Sequence, residues 1–264
     1  MRKFPISIFL AVVGGIFVLN APAQEDPKQI MQKSQDAMTL AGSESISTLF
    51  INDGKGNQRV RKFSSAQKND ASKAVTKMIM RFLEPADVKG TGILTFDYET
   101  KDDDMWLYMP ALRKVRRIVS SEKTKSFMGS EFTNSDITKP SMTDYTYALL
   151  DSESLGGVEC WKIAMTPATK EICDLYRYSK KIGWIGKDDY ITRKTEFYDR
   201  DGKLLKVMIT DKVKLLDEKN RKYQPVDITM ENKQNGRSSR FLIEKVIFNP
   251  KVKEEYFTTE YLQK

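Results

Sequence analysis

The chain has 264 residues, with 44 lysines and arginines against 36 acids, a formal charge of +8, two cysteines and no histidine. Without imidazole, Ser-His-Asp and Cys-His nucleophiles and histidine-ligated zinc or iron are excluded, and two cysteines cannot form a cysteine-rich metal site. The cations are interspersed with acids, so we predict no nucleic-acid partner. The sequence has no recognisable motif for an oxygen-ligated metal, and we predict no metal and no cofactor.

Residues 1–23 have the features of a secretory signal peptide. Arg2 and Lys3 precede an uncharged apolar run that is short for a membrane span, and an A-x-A cleavage site ends at Ala23. We predict cleavage there, with a retained N-terminal anchor as the alternative. Residues 24–264 then form a single periplasmic domain, whose formal charge falls from +8 to +6 with the loss of the two cations.

The first element of the mature chain is predicted to be a helix. Asp26 is a favourable N-cap and Pro27 suits the first turn, and apolar residues follow at helical spacing until about Gly42. Beyond this point apolar and polar residues alternate, with tight-turn pairs at Asp201-Gly202 and Asn235-Gly236. A short helix is expected at the C-terminus.

The alternating segments predict a mainly β protein of the α+β class with about 11–12 strands. A flat open sheet of that size would curl or split, so we expect a single antiparallel sheet that is strongly curved or partly closed. Its concave face must be covered by a helix or a loop, or filled by a ligand.

The segment MWLYMPALRKVRRI, residues 105–118, is predicted to be a hairpin that turns at Pro110. If Met109 lies opposite Arg113, two aromatic residues and two cations share one face: Trp106, Tyr108, Lys114 and Arg116. That face is either a solvated surface with aromatic rings shielded by lysine and arginine stems, or a rim where cations meet an anionic head group.

The two cysteines, Cys160 and Cys173, are 13 residues apart. In an oxidising compartment they are predicted to form a disulfide. The alternative is two separate thiols, one of them buried in a strand.

The hairpin and the following segment SFMGSEFTNSDI together resemble the signature of the LolA-like family of outer membrane lipoprotein-sorting proteins. The similarity extends over nearly the whole mature chain. Two positions depart from the family pattern, because Glu131 replaces an aspartate and Asn134 replaces a common aromatic residue. The resemblance implies an incomplete β-barrel, covered by an N-terminal helix, a helix in the loop and a short C-terminal helix, around an apolar cavity for acyl chains. It also implies an inner-membrane transporter of the RND/MMPL type as partner.

Two groups of residues are candidates for this cavity. The first comprises apolar residues placed on one face of neighbouring strands, namely Met78, Met80, Phe82, Leu94 and Phe96, with Trp106 and Tyr108 at the rim. Methionine suits irregular ligands, although ordinary core is the alternative. The second group is on the glycine-containing loop and comprises Phe127, Met128 and Phe132, which form either a lid or a buried plug.

Three charged residues of the signature are predicted to act together. Arg116, Arg117 and Asp136 form either an ion-pair cluster that fixes the loop to the hairpin or a site for a lipid head group.

These features predict a monomeric, non-enzymatic periplasmic carrier that binds acyl chains of a lipid or lipoprotein and moves them between membranes. The alternative is an adaptor or sensor that docks a transporter or signalling protein through the curved sheet, with its cavity filled by its own side chains. A hydrolase using two carboxylates has no local motif to support it.

Overall fold

The computed structural model describes residues 25–70, 74–98, 101, 103–119, 122, 124–138 and 141–264. The predicted signal peptide, 1–23, lies outside the described residues. Within these residues no helix has both the length and the apolar character needed to cross a membrane.

In the described part of the chain, thirteen antiparallel strands form a single curved sheet that does not close into a barrel. The strands are β1 (Gly42–Asn52), β2 (Gln58–Asn69), β3 (Val75–Glu84), β4 (Gly92–Tyr98), β5 (Asp104–Met109), β6 (Lys114–Ile118), β7 (Tyr145–Leu155), β8 (Val158–Pro167), β9 (Lys180–Gly186), β10 (Thr192–Tyr198), β11 (Leu204–Asp217), β12 (Lys222–Asn232) and β13 (Ser238–Phe248). The predicted fold class is confirmed, with slightly more strands than expected.

The order of the strands determines what covers the sheet. It runs β6-β5-β4-β3-β2-β1-β13-β12-β11-β10-β9-β8-β7, so the first and last strands pair in the middle. Strands β6 and β7 are consecutive in sequence yet occupy opposite edges. The connection between them spans residues 119–144, of which 119, 122, 124–138 and 141–144 are described, and it must therefore cross one face of the sheet.

Among the described residues, three short helices accompany the sheet: α1 (Pro27–Met38), α2 (Lys170–Tyr176) and α3 (Thr259–Leu262). The predicted N-terminal helix is confirmed, and the side chain of Asp26 caps it by accepting a hydrogen bond from the Lys28 N–H at 3.0 Å. It ends earlier than predicted because Gly42 already begins β1. The connection 119–144 contains a 3-10 turn, Asn134–Ile137, and α2 was not predicted.

The sheet has two apolar faces because side chains alternate along each strand. We call the face that contacts α1 and the 119–144 connection the inner face, and the opposite one the outer face. The main core lies on the inner face and includes Leu49, Phe63, Met80, Phe82, Ile93, Phe127, Phe132 and Met230. A second core on the outer face lies beneath the C-terminal segment and includes Ile79, Leu94, Val252, Phe257 and Leu262.

The predicted register of the hairpin at residues 105–118 is wrong by one residue. Met109 pairs with Lys114 rather than with Arg113, because the turn has four residues. Pro110–Leu112 form a 3-10 turn, and Arg113 reverses the chain in the left-handed region with φ of 49°. As a one-residue shift changes the face of every side chain, the two aromatic residues share a face with Val115 and Arg117 instead of Lys114 and Arg116.

The predicted disulfide is also wrong, because Cys160 and Cys173 are both free thiols. Cys160 is at the start of β8 and is fully buried, whereas Cys173 lies on α2, after the end of that strand. A strand rises about 3.3 Å per residue, so β8 carries the chain about 20 Å away from Cys160 before α2 begins. A disulfide requires α-carbons within about 7 Å.

Candidate functional site

The glycine-containing loop with Phe127, Met128 and Phe132 is a buried plug on the inner face rather than a lid. Phe127 and Phe132 are 1% and 5% exposed, and Met128 is half-buried. The ring of Phe127 lies 6.4 Å from that of Phe82, and the ring of Phe132 lies 6.3 Å from that of Phe241. These aromatic contacts fill the space above the middle of the sheet.

Polar contacts around Glu131 fix the plug to strands β11–β13. The Glu131 carboxylate is 2.9 Å from Arg237 Nε and accepts a hydrogen bond from Asn232 Nδ2, also at 2.9 Å. Its backbone N–H donates to the Ser239 hydroxyl and its carbonyl accepts from Lys206 Nζ at 2.6 Å. Lys206, Asn232 and Ser239 lie on three adjacent strands, and Arg237 directly precedes β13. The residue that departs from the family pattern is therefore the main polar anchor of the loop.

Consecutive residues in left-handed conformation turn the plug toward this anchor. Met128 has φ of 51° and Gly129 has φ of 81°. The Gly129 carbonyl accepts hydrogen bonds from Arg59 at 3.4 Å and from Arg237 at 3.2 Å. A β-carbon at Gly129 would lie 3.2 Å from Arg59 Nη2, so glycine permits both the backbone conformation and the close arginine contact.

Next to the plug, the inner face holds an open cavity of about 400 Å³. Its walls are α1, the end of the 119–144 connection with the start of β7, the end of α2, and strands β2–β4 and β8–β12. The filled core and the cavity are neighbours along β3, because Phe82 and Met80 belong to the core whereas Met78 and Thr76 line the cavity. The volume is within the usual range of small-molecule sites.

Small residues in one cross-strand row create this hollow. Gly183 on β9 pairs with Ile163 on one side and Thr195 on the other, and Thr195 pairs with Met208. Since Gly183 and Thr195 contribute little volume, the space beneath α1 stays open. A β-carbon at Gly183 would lie 3.2 Å from the side-chain tips of Ile185 and Met165, which are mobile enough to move aside.

Methionine is the dominant apolar residue of the cavity wall. Six of the twelve methionines of the chain line it: Met31, Met38, Met78, Met142, Met165 and Met208. Flexible thioether side chains can adapt to ligands of varying shape. This arrangement suits a chain-like apolar ligand better than a rigid one.

The cavity wall also includes charged residues and tyrosines. Lys181 is the sole cation among the described lining residues, which also include the carboxylates of Asp97 and Asp136. The Tyr176 hydroxyl donates to Asp144 Oδ2 at 2.7 Å, and burial together with this bond raises the pKa of Tyr176. Burial likewise raises the pKa of Tyr147, so these phenols stay protonated at neutral pH.

Four residues predicted for the cavity lie on the other face of the sheet. Leu94 pairs with Ile79 and with Trp106, so it faces away from Met78. Leu94, Phe96, Trp106 and Tyr108 all belong to the outer core under the C-terminal segment. The rings of Phe96 and Trp106 meet edge to face, with their centroids 5.4 Å apart. The prediction that Leu94 and Phe96 share a face with the β3 methionines was wrong, because it assumed a register shifted by one residue.

The predicted cluster of Arg116, Arg117 and Asp136 does not form. Arg116 pairs with Glu122 at 2.6 Å, and Arg117 pairs with Asp104. Asp136 Oδ2 instead accepts a hydrogen bond from the Thr133 N–H at 2.7 Å, which caps the 3-10 turn. The two arginines are on opposite faces of β6, so they cannot converge on one carboxylate.

The sequence reasoning missed most of the cavity wall, which comes from α1 and strands β9–β12. The methionines were a usable signal, because those on α1, β8 and β11 also line the cavity. Within the described residues, no group of three or more histidine, cysteine, aspartate or glutamate side chains is arranged to hold a metal ion.

A second hollow of about 450 Å³ lies on the outer face, between strands β1–β3, β13 and the C-terminal segment. Serines and charged groups contribute much of its wall, including Glu44, Arg81 and Lys245. It is therefore less suited to an acyl chain than the methionine-lined cavity.

Comparison with known proteins gives the same architecture. A family model described as "-like: Uncharacterized protein" matches residues 74–264. An outer membrane lipoprotein-sorting protein domain from Vibrio parahaemolyticus is 26% identical, with a TM-score of 0.82 over 90% of this chain and 98% of that chain. A DUF1329 family protein from Desulfovibrio piger is also 26% identical, with a TM-score of 0.82 over 90% of this chain and 100% of that chain.

A more distant structure shows the same fold. A LolA superfamily protein from Nitrosomonas europaea is 20% identical and has a TM-score of 0.67, covering 90% of this chain and 100% of that chain. No curated protein matches the chain.

Proposed function

Because the chain belongs to the LolA-like family of outer membrane lipoprotein-sorting proteins, we propose that it is a periplasmic carrier of acyl chains. The ligand is a lipid or the acyl part of a lipoprotein, and the protein moves it between membranes without catalysing a reaction. The observation that carries the proposal is the methionine-lined cavity of about 400 Å³ beneath α1.

Burial of acyl chains supplies the affinity. Each CH₂ group removed from water contributes about 0.8 kcal/mol, so a long chain binds tightly and leaves slowly unless the cavity changes shape. We propose that an inner-membrane transporter of the RND/MMPL type loads or unloads the carrier by moving α1. This helix is suited to that role because it forms one wall of the cavity and is short.

The open cavity favours a carrier over an adaptor. An adaptor that docks through its sheet alone would be expected to fill the whole inner face with its own side chains. The plug of Phe127 and Phe132 fills only the half near the β1–β2 hairpin, and the half beneath α1 is left open.

Native mass spectrometry of the protein purified from its own periplasm tests the proposal. We expect bound lipid, and we expect the purified protein to take up a fluorescent fatty acid. The double variant Gly183→Val/Thr195→Leu fills the cavity above these two small residues and should abolish uptake of the fatty acid. Thr166→Leu, an exposed substitution on the outer face of β8, is the control and should bind as the wild type does. Absence of lipid together with absence of uptake by the wild type would overturn the proposal.

A further inference from the structure

One end of the cavity contains a cation surrounded by aromatic rings. The Nζ atom of Lys181 lies 4.8 Å from the ring centroid of Tyr145, 5.3 Å from that of Tyr178, 5.4 Å from that of Phe197 and 5.6 Å from that of Tyr176. Ring faces attract a cation, so these contacts stabilise the half-buried ammonium group. No ion pair joins Lys181 to a carboxylate of the described residues, and its ring contacts leave its charge available to a ligand.

A buried hydroxyl without a partner accompanies this cation. Tyr145 is 7% exposed and lines the cavity, and its hydroxyl has no hydrogen-bond partner among the described residues. Its ring stacks on Tyr176 at 5.9 Å, which fixes its position. Leaving a buried hydroxyl unpaired costs about 1–3 kcal/mol, so a cavity ligand that accepts this hydrogen bond would be favoured.

Other charged groups near this end restrict what it can accept. Asp144, the residue before Tyr145, is engaged by the Tyr176 hydroxyl, and Asp136 is engaged by the Thr133 N–H. Asp136 and Asp97 also line the cavity, and their charges disfavour a second anionic group. The single lysine therefore matches a ligand with one anionic group.

We propose that Lys181 and Tyr145 form the subsite for the anionic head of the acyl ligand, a carboxylate or a phosphate. This inference rests on the proposed function and adds the chemical class of the ligand. The ammonium group supplies a charge-assisted hydrogen bond and the phenol supplies a second donor. The six methionines hold the acyl chain in the rest of the cavity.

The test is displacement of a fluorescent fatty acid by three competitors of equal chain length, each below its aggregation concentration. These are a free fatty acid, an alkyl phosphate and a fatty acid methyl ester. We expect the wild type to bind at least one anionic competitor about 10- to 100-fold more tightly than the ester, as one charged hydrogen bond predicts. The anion that binds more tightly identifies the head group as carboxylate or phosphate.

Two variants separate recognition from packing. Lys181→Met should remove the preference for the anion and leave binding of the ester unchanged, because methionine keeps the apolar contacts with the rings. Tyr145→Phe should weaken anion binding about 2- to 10-fold without lowering stability, since its hydroxyl has no partner to lose. Lys162→Met is the matched control, because Lys162 lies 4.9 Å from the Trp184 ring on the outer face.

Each remaining outcome counts against the inference. If Lys181→Met weakens the ester and the anions equally, the lysine only packs, and the subsite is refuted while the carrier function stands. If the wild type binds the ester as tightly as both anions, the subsite is likewise refuted. If none of the three competitors binds, both the subsite and the proposed carrier function are overturned.

Discussion

Removing the carboxylate of Glu131 should detach the plug that closes half of the inner face. The side chain is 8% exposed, and Glu131→Ala leaves the buried amide of Asn232 without its acceptor and the guanidinium of Arg237 without its carboxylate partner. A buried donor left unpaired costs about 1–3 kcal/mol, and breaking a fully buried ion pair costs about 3–5 kcal/mol.

The expected loss lies below the sum of these values because water reaches one partner. Arg237 is 37% exposed, so its charge is partly solvated after the substitution. We expect Glu131→Ala to lower the free energy of unfolding by about 2–4 kcal/mol, a large fraction of the about 5–15 kcal/mol typical of a domain. Glu131→Gln keeps an acceptor for Asn232 and should lose only about 1–2 kcal/mol.

Urea unfolding followed by circular dichroism measures these differences. The control is Glu255→Ala, because Glu255 is 66% exposed and its pair with Lys253 at 3.4 Å should contribute less than about 1 kcal/mol. Hydrogen exchange adds a local readout, since the Phe127 N–H donates to the Phe132 carbonyl at 2.8 Å and should lose protection in the variant. A loss no larger than that of the control would refute the role of Glu131 as the anchor.

Three further predictions follow from single contacts. Asp227 accepts two hydrogen bonds from Arg240, which lower the pKa of its carboxyl, so Asp227→Asn should cost about 1–2 kcal/mol at neutral pH. The stabilisation by Asp227 is complete above the unfolded pKa of about 3.9, and it disappears as the pH falls through the lower pKa of the folded state. Urea unfolding curves of the wild type and the variant should therefore converge in acid. A difference in the free energy of unfolding that stays constant with pH would contradict this prediction. Leu262→Ala removes a fully buried side chain from the outer core and should cost about 2–5 kcal/mol in thermal or urea unfolding, whereas a loss under about 1 kcal/mol would show that the C-terminal helix is not docked. Ellman's reagent should detect two thiols after unfolding. In the native protein Cys173 should react first, because burial shields Cys160 and raises its pKa. Detection of no thiol after unfolding would show that the two cysteines form a disulfide.

Alternation of side chains was sufficient to predict the fold class. The Asp26-Pro27 cap located α1, and the alternation in segments such as Val75–Glu84 located the strands, because both signals depend only on neighbouring residues. The register between strands depends on the length of each turn. The four-residue turn after Met109 could not be recognised from composition, and the error placed Lys114 and Arg116 on the wrong face.

The candidate site was harder to predict because it depends on contacts between distant parts of the chain. Lys181, Gly183 and Thr195 line one cavity with residues of α1, which is far away in the sequence. The cavity remains because the connection between β6 and β7 crosses the sheet and covers only part of the inner face. No local pattern around Gly183 indicates a cavity. The abundance of methionine was a global signal of this cavity, and it became informative only once the strand order was known.

The central claim, that the cavity beneath α1 holds an acyl chain, is tested most directly by a crystal structure of the protein with a bound fatty acid or phospholipid. We predict continuous density for the chain between α1 and the row of Gly183, Thr195 and Met208, with its head group within hydrogen-bonding distance of Lys181 Nζ. Acyl density in the outer hollow near Ile247 and Tyr261, with the inner cavity filled by water, would contradict the claim.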